Sequence, residues 1–470
     1  MTSVIDGIME RLLADPILVK KGMAAMRDYL VRSGDFRSLD SPEEEIYPFA
    51  SPFVVQESLQ AELRFWTKRI VEALEGEAQL LRADQEQAQK TLFLASSLDR
   101  DLFCSGQTFP ESLPIHRLDF ALEDTGFPRL LEINCGCPGG ELDPALVAEA
   151  FMASPLLKVM EGVLREVSAS TGLAPYVDPR DESLENIMRC YEAFRRDRKG
   201  FPQDPIIALI TSSAQARSMI PECRGIARHY ESRGRRTMVG DLLELEVGDD
   251  EVRLRGQKIH LIFRKFSTNS FKRRMMDEST FGEQTCKRVR MLFEAVSRGC
   301  VCMVNPLGST YLQDKGLLEA LAMRHPELRR ILLETYVLGP DFPSREPSVW
   351  RAICAGEEFV LKRRHSFGGR HVILEPEKIK VMGPRIIEEE PGHWVAQRRG
   401  HLISYPFALT DGRHIEIGRF PCTVSLFGGS CFVRVGRGGP HEPINAQGGG
   451  ATTCVLSISR GREARGPGAE

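Results

Sequence analysis

The residues in this chain best placed to do chemistry lie in one short stretch, IHRLDFALEDTGFPRLLEINCGCPGG, residues 115–140. Arg117 and Asp119 alternate on one candidate strand, and Glu132 and Asn134 alternate on the next. Alternate residues of a strand point to the same face. The intervening Glu123-Asp124-Thr125-Gly126 is good turn chemistry, so the two runs read as a hairpin. Pairing residue 119 with 132 also pairs 117 with 134, which crowds all four side chains onto one face. Two carboxylates and a carboxamide beside a guanidinium suit magnesium and phosphate. The same four residues also fit a surface hairpin with an ordinary salt bridge.

Three further constellations lie downstream. FVLKRRHSFGGRHV, residues 359–372, sets Lys362 on an apolar strand before the turn Ser366-Phe367-Gly368-Gly369. Glycine lets backbone amides approach phosphate oxygens closely, although a plain hairpin turn reads the same way. It is neither GxxxxGK[ST] nor GxGxxG between strand and helix. Asp314-Lys315 opens a helical stretch, where the helix dipole disfavours a cation. Lys315 therefore serves either an anion or solvent. In residues 418–450, Arg434 alternates with Phe432 on a strand flanked by glycine-rich turns. Arg434 is suited to a bidentate grip on phosphate or carboxylate, with Asn445 and Gly448–Gly450 placed to close over a ligand; a glycine-rich edge is the alternative. His116, His365 and His441 lie near these motifs, as acid–base groups or bystanders. No Ser-His-Asp order, nucleophile elbow or HExxH occurs.

The elements that must position these groups follow from pattern and composition. The chain has 470 residues, 42% hydrophobic and 27% charged, with net charge −3. That suffices for two or three domains and argues against nucleic acid or an anionic membrane as partner. There is no basic-then-apolar leader and no run long enough to span a bilayer, so a cytoplasmic protein is expected. The 12 scattered cysteines are expected to be free thiols, with no zinc-ligand spacing. Helical periodicity dominates residues 1–110, an N-terminal helical segment. Residues 111–200 carry the hairpin and one or two helices. Strand–helix alternation over 201–305 predicts a small α/β subdomain. Residues 306–455 form a lobe of helix and strands with the lysines and Arg434, and 456–470 form a flexible tail, with fraying expected after Thr453.

Taken in order, these motifs resemble the circularly permuted ATP-grasp superfamily, including glutathionylspermidine synthase-like and uncharacterised permuted ATP-grasp ligases. R-x-D, E-x-N, a lysine at a helix start, a strand lysine before a glycine turn, and an arginine strand appear here as Arg117–Asp119, Glu132–Asn134, Asp314-Lys315, Val360–Lys362 with Gly368-Gly369, and Phe432–Arg434. Unpermuted chains carry the nucleotide lysines before E-x-N; here they follow it. The resemblance spans about residues 115–450. It implies an α/β (α+β) fold of ATP-grasp type, with the small α/β subdomain inserted and the helical segment in front.

The resemblance also implies roles. Asp119, Glu132 and Asn134 would hold Mg2+. Lys315 and Lys362 would contact the phosphates of ATP, with Gly368 and Gly369 in the loop above them. Arg117 and Arg434 would stabilise the transferred charge. The hinge strand, where relatives carry Gln-Glu, reads Gln397-Arg398, so Gln397 is expected near adenine and the acidic ribose contact is replaced or shifted. The implied reaction is ATP-dependent joining of a small-molecule acid to an amine, an amino acid or peptide, through an acyl phosphate, as in peptide ligases of secondary metabolism. Arg363, Arg364, Arg398 and Arg399 either suit an acidic substrate or face solvent. The alternatives are an ATP-dependent small-molecule kinase and a nucleotide-binding module without turnover. A homodimer is a further possibility.

Overall fold

Arg117–Leu122 and Pro128–Asn134 form an antiparallel hairpin whose register pairs Arg117 with Asn134 and Asp119 with Glu132. The register then slips, so that Phe120 faces Leu130 and Leu131 is an extra residue. Such a bulge leaves one backbone unit outside the ladder. The computed structural model describes residues 2–36, 46–104, 107–167, 171–212, 216–366, 368–437, 444 and 450–460. His441, Asn445, Gly448, Gly449, Phe367 and residues 461–470 lie outside the described residues.

The hairpin is one edge of a nine-stranded sheet. Inward from it come Ile415–Phe427, Ser430–Val435, Ala451–Arg460, Phe49–Ala50 and Ser404–Thr410. Ser404–Thr410 also pairs with Ile415–Phe427, so the pairings close into a ring. The turn at Gly428-Gly429 joins Ile415–Phe427 to Ser430–Val435, and the half of each strand next to that turn is buried.

Two expectations need correction here. The 1–110 segment is not helical throughout: Phe49–Ala50 and Phe53–Gln56 are strands paired with Ala451–Arg460. Apolar runs that short carry no period by which to tell strand from helix. Fraying after Thr453 is also overturned as far as Arg460, because Ala451–Arg460 is a strand with ladder partners on both edges. The alternation is present in ATTCVLSISR, but the glycine- and arginine-rich end masks it.

Ile206–Thr211, Arg236–Asp241, Leu261–Arg264 and Cys302–Val304 form a parallel four-stranded sheet. A separate antiparallel sheet contains Thr335–Val337, Trp394–Arg398, Phe359–Arg363 and Val372–Ile373. It has its own core, in which Leu338, Phe342, Ile353, Phe359, Leu361 and Trp394 are buried together. The helices Pro347–Ala355 and Pro376–Glu389 cover this small lobe. Elsewhere one continuous core runs beneath the central and parallel sheets. Glu57–Ala83 packs onto it through Leu59, Leu63, Trp66, Ile70 and Leu74, spaced at three to four residues. All 12 cysteines are free. No helix among the described residues is long and apolar enough to cross a membrane.

Candidate active site

Strand register alone carries the chemistry onto one face of the central sheet. Asp119 pairs with Ser425, and two residues back on that strand Thr423 pairs with Arg434. Directly paired residues share a face. Arg117, Asp119, Glu132, Asn134, Thr423, Ser425 and Arg434 therefore all project the same way, although more than 300 residues separate the first from the last.

The contacts on that face are dense. Arg117 donates Nε to Asp119 Oδ1 at 2.9 Å and Nη2 to Oδ2 at 3.0 Å. Its Nη1 donates to the carbonyl of Gly139 at 3.0 Å. Ser425 Oγ donates to Asp119 Oδ1 at 2.6 Å. Asn134 Nδ2 donates to Asp119 Oδ2 at 3.1 Å and to Glu132 Oε1 at 3.3 Å. Glu132 Oε1 also lies 4.0 Å from Arg117 Nη2. Burial opposes the charge on Asp119, but the Arg117 and Arg434 guanidinium groups outweigh it and hold the carboxyl well below the usual range. Arg434 makes no hydrogen bond or ion pair of its own among the described residues. Burial lowers its pKa, and Arg117 beside it adds repulsion.

A cavity of about 750 Å³ opens between this face and the small lobe. Arg117, Asp119, Glu132, Thr423 and Arg434 line it from the sheet; Val360, Lys362, Gly368, Gly369 and Gln397 line it from the lobe. Its size suits a nucleotide-sized ligand. Lys362 Nζ donates to Gln397 Oε1 at 2.6 Å and to the carbonyl of Leu131, the bulged residue, at 3.3 Å. Gln397 Nε2 in turn donates to Thr335 Oγ1 at 3.1 Å, so both ends of that side chain are engaged.

Lys315 and Asn134 do not line the cavity. Lys315 stands just before the helix Leu317–Arg324 and donates Nζ to the carbonyl of Ser366 at 2.6 Å. Asp314 holds Arg364 in a buried pair with contacts down to 2.5 Å. Asp314-Lys315 thus anchors the base of the Gly368-Gly369 turn. Both glycines have positive φ, 67° and 71°, a conformation side chains resist. The lobe's arginines are already engaged: Arg363 with Glu390, Arg364 with Asp314, Arg398 with Glu334 and Glu358, and Arg399 with the carbonyl of Leu374. That favours the reading in which they do not serve an acidic substrate.

Burial lowers Lys362 to about 8, against the pull of Glu132 and with the neighbouring Lys315 adding to the drop. A phosphate needs the charged amine, and binding one raises its pKa. Below pH 8 the free site is already charged, so affinity is flat. Above pH 8 each binding event must take up a proton. Nucleotide affinity is therefore expected to fall up to about tenfold per pH unit above that point. Isothermal titration across pH 7–9.5 measures it, and a flat profile sinks the assignment of Lys362 to the phosphates.

Magnesium prefers hard oxygens from one or two carboxylates and leaves room for phosphate. Glu132 Oε2 and Asn134 Oδ1 carry no hydrogen bond among the described residues; Glu132 lines the cavity, and Asn134 stands beside it, bonded to its Oε1. These residues fit the ion. The sequence reading missed Thr423 and Ser425. Their signal was present: they are the two alternating polar positions within CTVSLF, an otherwise apolar run. His116 is half-buried with Nδ1 against the carbonyl of Leu113, and desolvation lowers its pKa. Neither His116 nor His365 lines the cavity.

No family model matches the chain, and no curated protein sequence matches it. Among solved structures, a glutathione synthetase-like effector from Globodera pallida in its apo form is similar, with TM-score 0.56 at 11% identity. The match covers 94% of this chain and 97% of that one. The chain shares its fold. A putative gamma-glutamylcysteine synthetase from Methylobacillus flagellatus KT matches with TM-score 0.37 at 9% identity, over 80% of this chain and 87% of that one.

Proposed function

We propose that this protein is an ATP-dependent carboxylate–amine ligase of ATP-grasp type, in circularly permuted order, which forms an amide through an acyl phosphate. The observation that carries the reading is Arg434. A half-buried guanidinium beside a second one, with no counter-ion of its own among the described residues, is costly unless an anion joins it. Opposite it stands Lys362, on the far wall of the same cavity. A polyphosphate bridging the two walls satisfies both. The likeness in fold to a glutathione synthetase-like effector is in keeping with this reading.

The residues then divide the work. Val360, Val372 and Leu374 offer an apolar slot for the base. The side chain of Gln397 is spent on Lys362, so it positions that lysine rather than reading adenine. Lys362 meets the phosphates, and the turn of Gly368 and Gly369, braced by Lys315, covers them. Glu132 and Asn134 would hold magnesium, which when bound neutralises phosphate oxygens.

The acid's carboxylate oxygen attacks the γ-phosphorus and ADP leaves, giving an acyl phosphate. The amine, having lost a proton, attacks the carbonyl carbon and inorganic phosphate departs. Arg117 and Arg434 stabilise the charge that develops in both steps. Covering the site keeps water from the acyl phosphate. The acid and amine fall in the class of amino acids and peptides.

The deciding experiment is an ATP-consumption screen with pooled amino acids and peptides, products identified by mass. Release of ADP and phosphate with a new amide is expected. A phosphorylated product without amine points to a kinase. No ATP consumption across the panel overturns the proposal.

A further inference from the structure

We infer that Asp119 is a positioning residue for Arg117 and not a metal ligand, so that the metal seat is left to Glu132 and Asn134. The inference rests on the ligase reading above. An ionised carboxylate offers about four lone-pair sites. In Asp119 four donors use them: Arg117 Nε and Ser425 Oγ on Oδ1, Arg117 Nη2 and Asn134 Nδ2 on Oδ2. A metal could enter only by evicting one of these. Evicting Arg117 would leave a guanidinium, itself only 7% exposed, without its partner and beside Arg434. Evicting Ser425 would leave a fully buried hydroxyl unsatisfied.

Asn134 and Glu132 differ. Both carboxylates around Asn134 are acceptors only, so its Nδ2 must face them. Its Oδ1 is thereby turned away and has no partner among the described residues. Glu132 uses Oε1 and keeps Oε2 free in the same sense. One carboxylate and one carboxamide oxygen, completed by phosphate and water, suit magnesium.

Asp119 acts through Arg117. The bidentate grip and the Gly139 carbonyl fix the guanidinium in plane. An arginine has five N–H donors, and three are used here. One on each terminal nitrogen is left to meet a transferred phosphoryl or acyl oxygen. Ser425 and Asn134 hold the carboxylate from its other sides.

The test uses Mn2+ as the metal probe with a non-hydrolysable ATP analogue, free Mn2+ being read by its paramagnetic resonance, beside ATP turnover and melting temperature. Asp119→Asn is expected to hold Mn2+ within about threefold of the unaltered protein while kcat falls about 100-fold. Glu132→Gln is expected to loosen Mn2+ about 10- to 100-fold. Should Asp119→Asn fold poorly, Ser425→Ala serves: Mn2+ retention unchanged, kcat reduced several-fold. Loosening of Mn2+ by Asp119→Asn or Ser425→Ala as great as that by Glu132→Gln overturns the inference alone. Failure of the unaltered protein to retain Mn2+ with the analogue overturns the ligase reading, and this inference with it.

Discussion

Glu132→Gln is expected to lower ATP-dependent turnover by about 10³-fold with the fold intact. The change removes one charge and keeps the shape. Glu132 is the only carboxylate lining the cavity from the sheet that has an oxygen without a hydrogen bond among the described residues. Its partial exposure, 29% for the side chain, means little packing is lost. The glutamine amide would still meet Asn134, but it would offer the metal a neutral oxygen. Lys362 and Lys315 both lie within the field of Glu132, so part of the loss is expected as weaker nucleotide binding as well. Initial rates and a thermal melt decide it. Turnover within a few-fold of the unaltered protein would remove Glu132 from the metal seat.

The largest stability effect is expected at Lys265. Its amine lies 2.6 Å from Glu141 Oε1 and 3.1 Å from Glu222 Oε1, and Lys265 and Glu141 are both fully enclosed. Burial alone would lower the lysine's pKa, but the two carboxylates outweigh it and keep it well above the lysine norm. The two contacts tie the end of Leu261–Arg264 to the loop after the hairpin and to the helix Ala216–Ser232. Lys265→Met leaves the Glu141 carboxylate buried without its cation, which costs about 3–5 kcal/mol. An unpaired buried carboxyl has a raised folded pKa, so the deficit is greatest at neutral pH and shrinks toward pH 5. Adding Glu141→Gln should recover part of it. Urea melts at pH 5 and pH 7.5 measure both effects, and a loss under about 1 kcal/mol at pH 7.5 would show that the triad is dispensable.

Much of the hairpin was legible because its signal is local. Alternation sets the face, and turn residues set the register, so Arg117 facing Asn134 and Asp119 facing Glu132 follow from spacing. The bulge at Leu131 was not legible, since nothing in PRLLEIN distinguishes an extra residue from a paired one. Yet the carbonyl of that residue meets Lys362. Gln397 was expected near adenine from its place on the hinge strand. Its hydrogen bond to Lys362 depends on the pairing of Phe359–Arg363 with Trp394–Arg398, which places Val360 beside Gln397. The two strands in the 1–110 segment were missed because their partners lie some 400 residues away.

By itself the sequence determined the chemical inventory: which residues can carry charge to a phosphate, which alternate on a strand, and in what order they come. Those properties depend on side-chain type and on periods of two or three to four residues. Only the tertiary structure decided who is already engaged. It closed Asp119 with four hydrogen bonds, left Arg434 without a hydrogen bond or ion pair among the described residues, and folded the small lobe so that Lys362 faces them across one cavity. The bonds from Ser425 to Asp119 and from Lys362 to Leu131 span 306 and 231 residues, and the ladders that create them are set by sheet order, which no local pattern encodes.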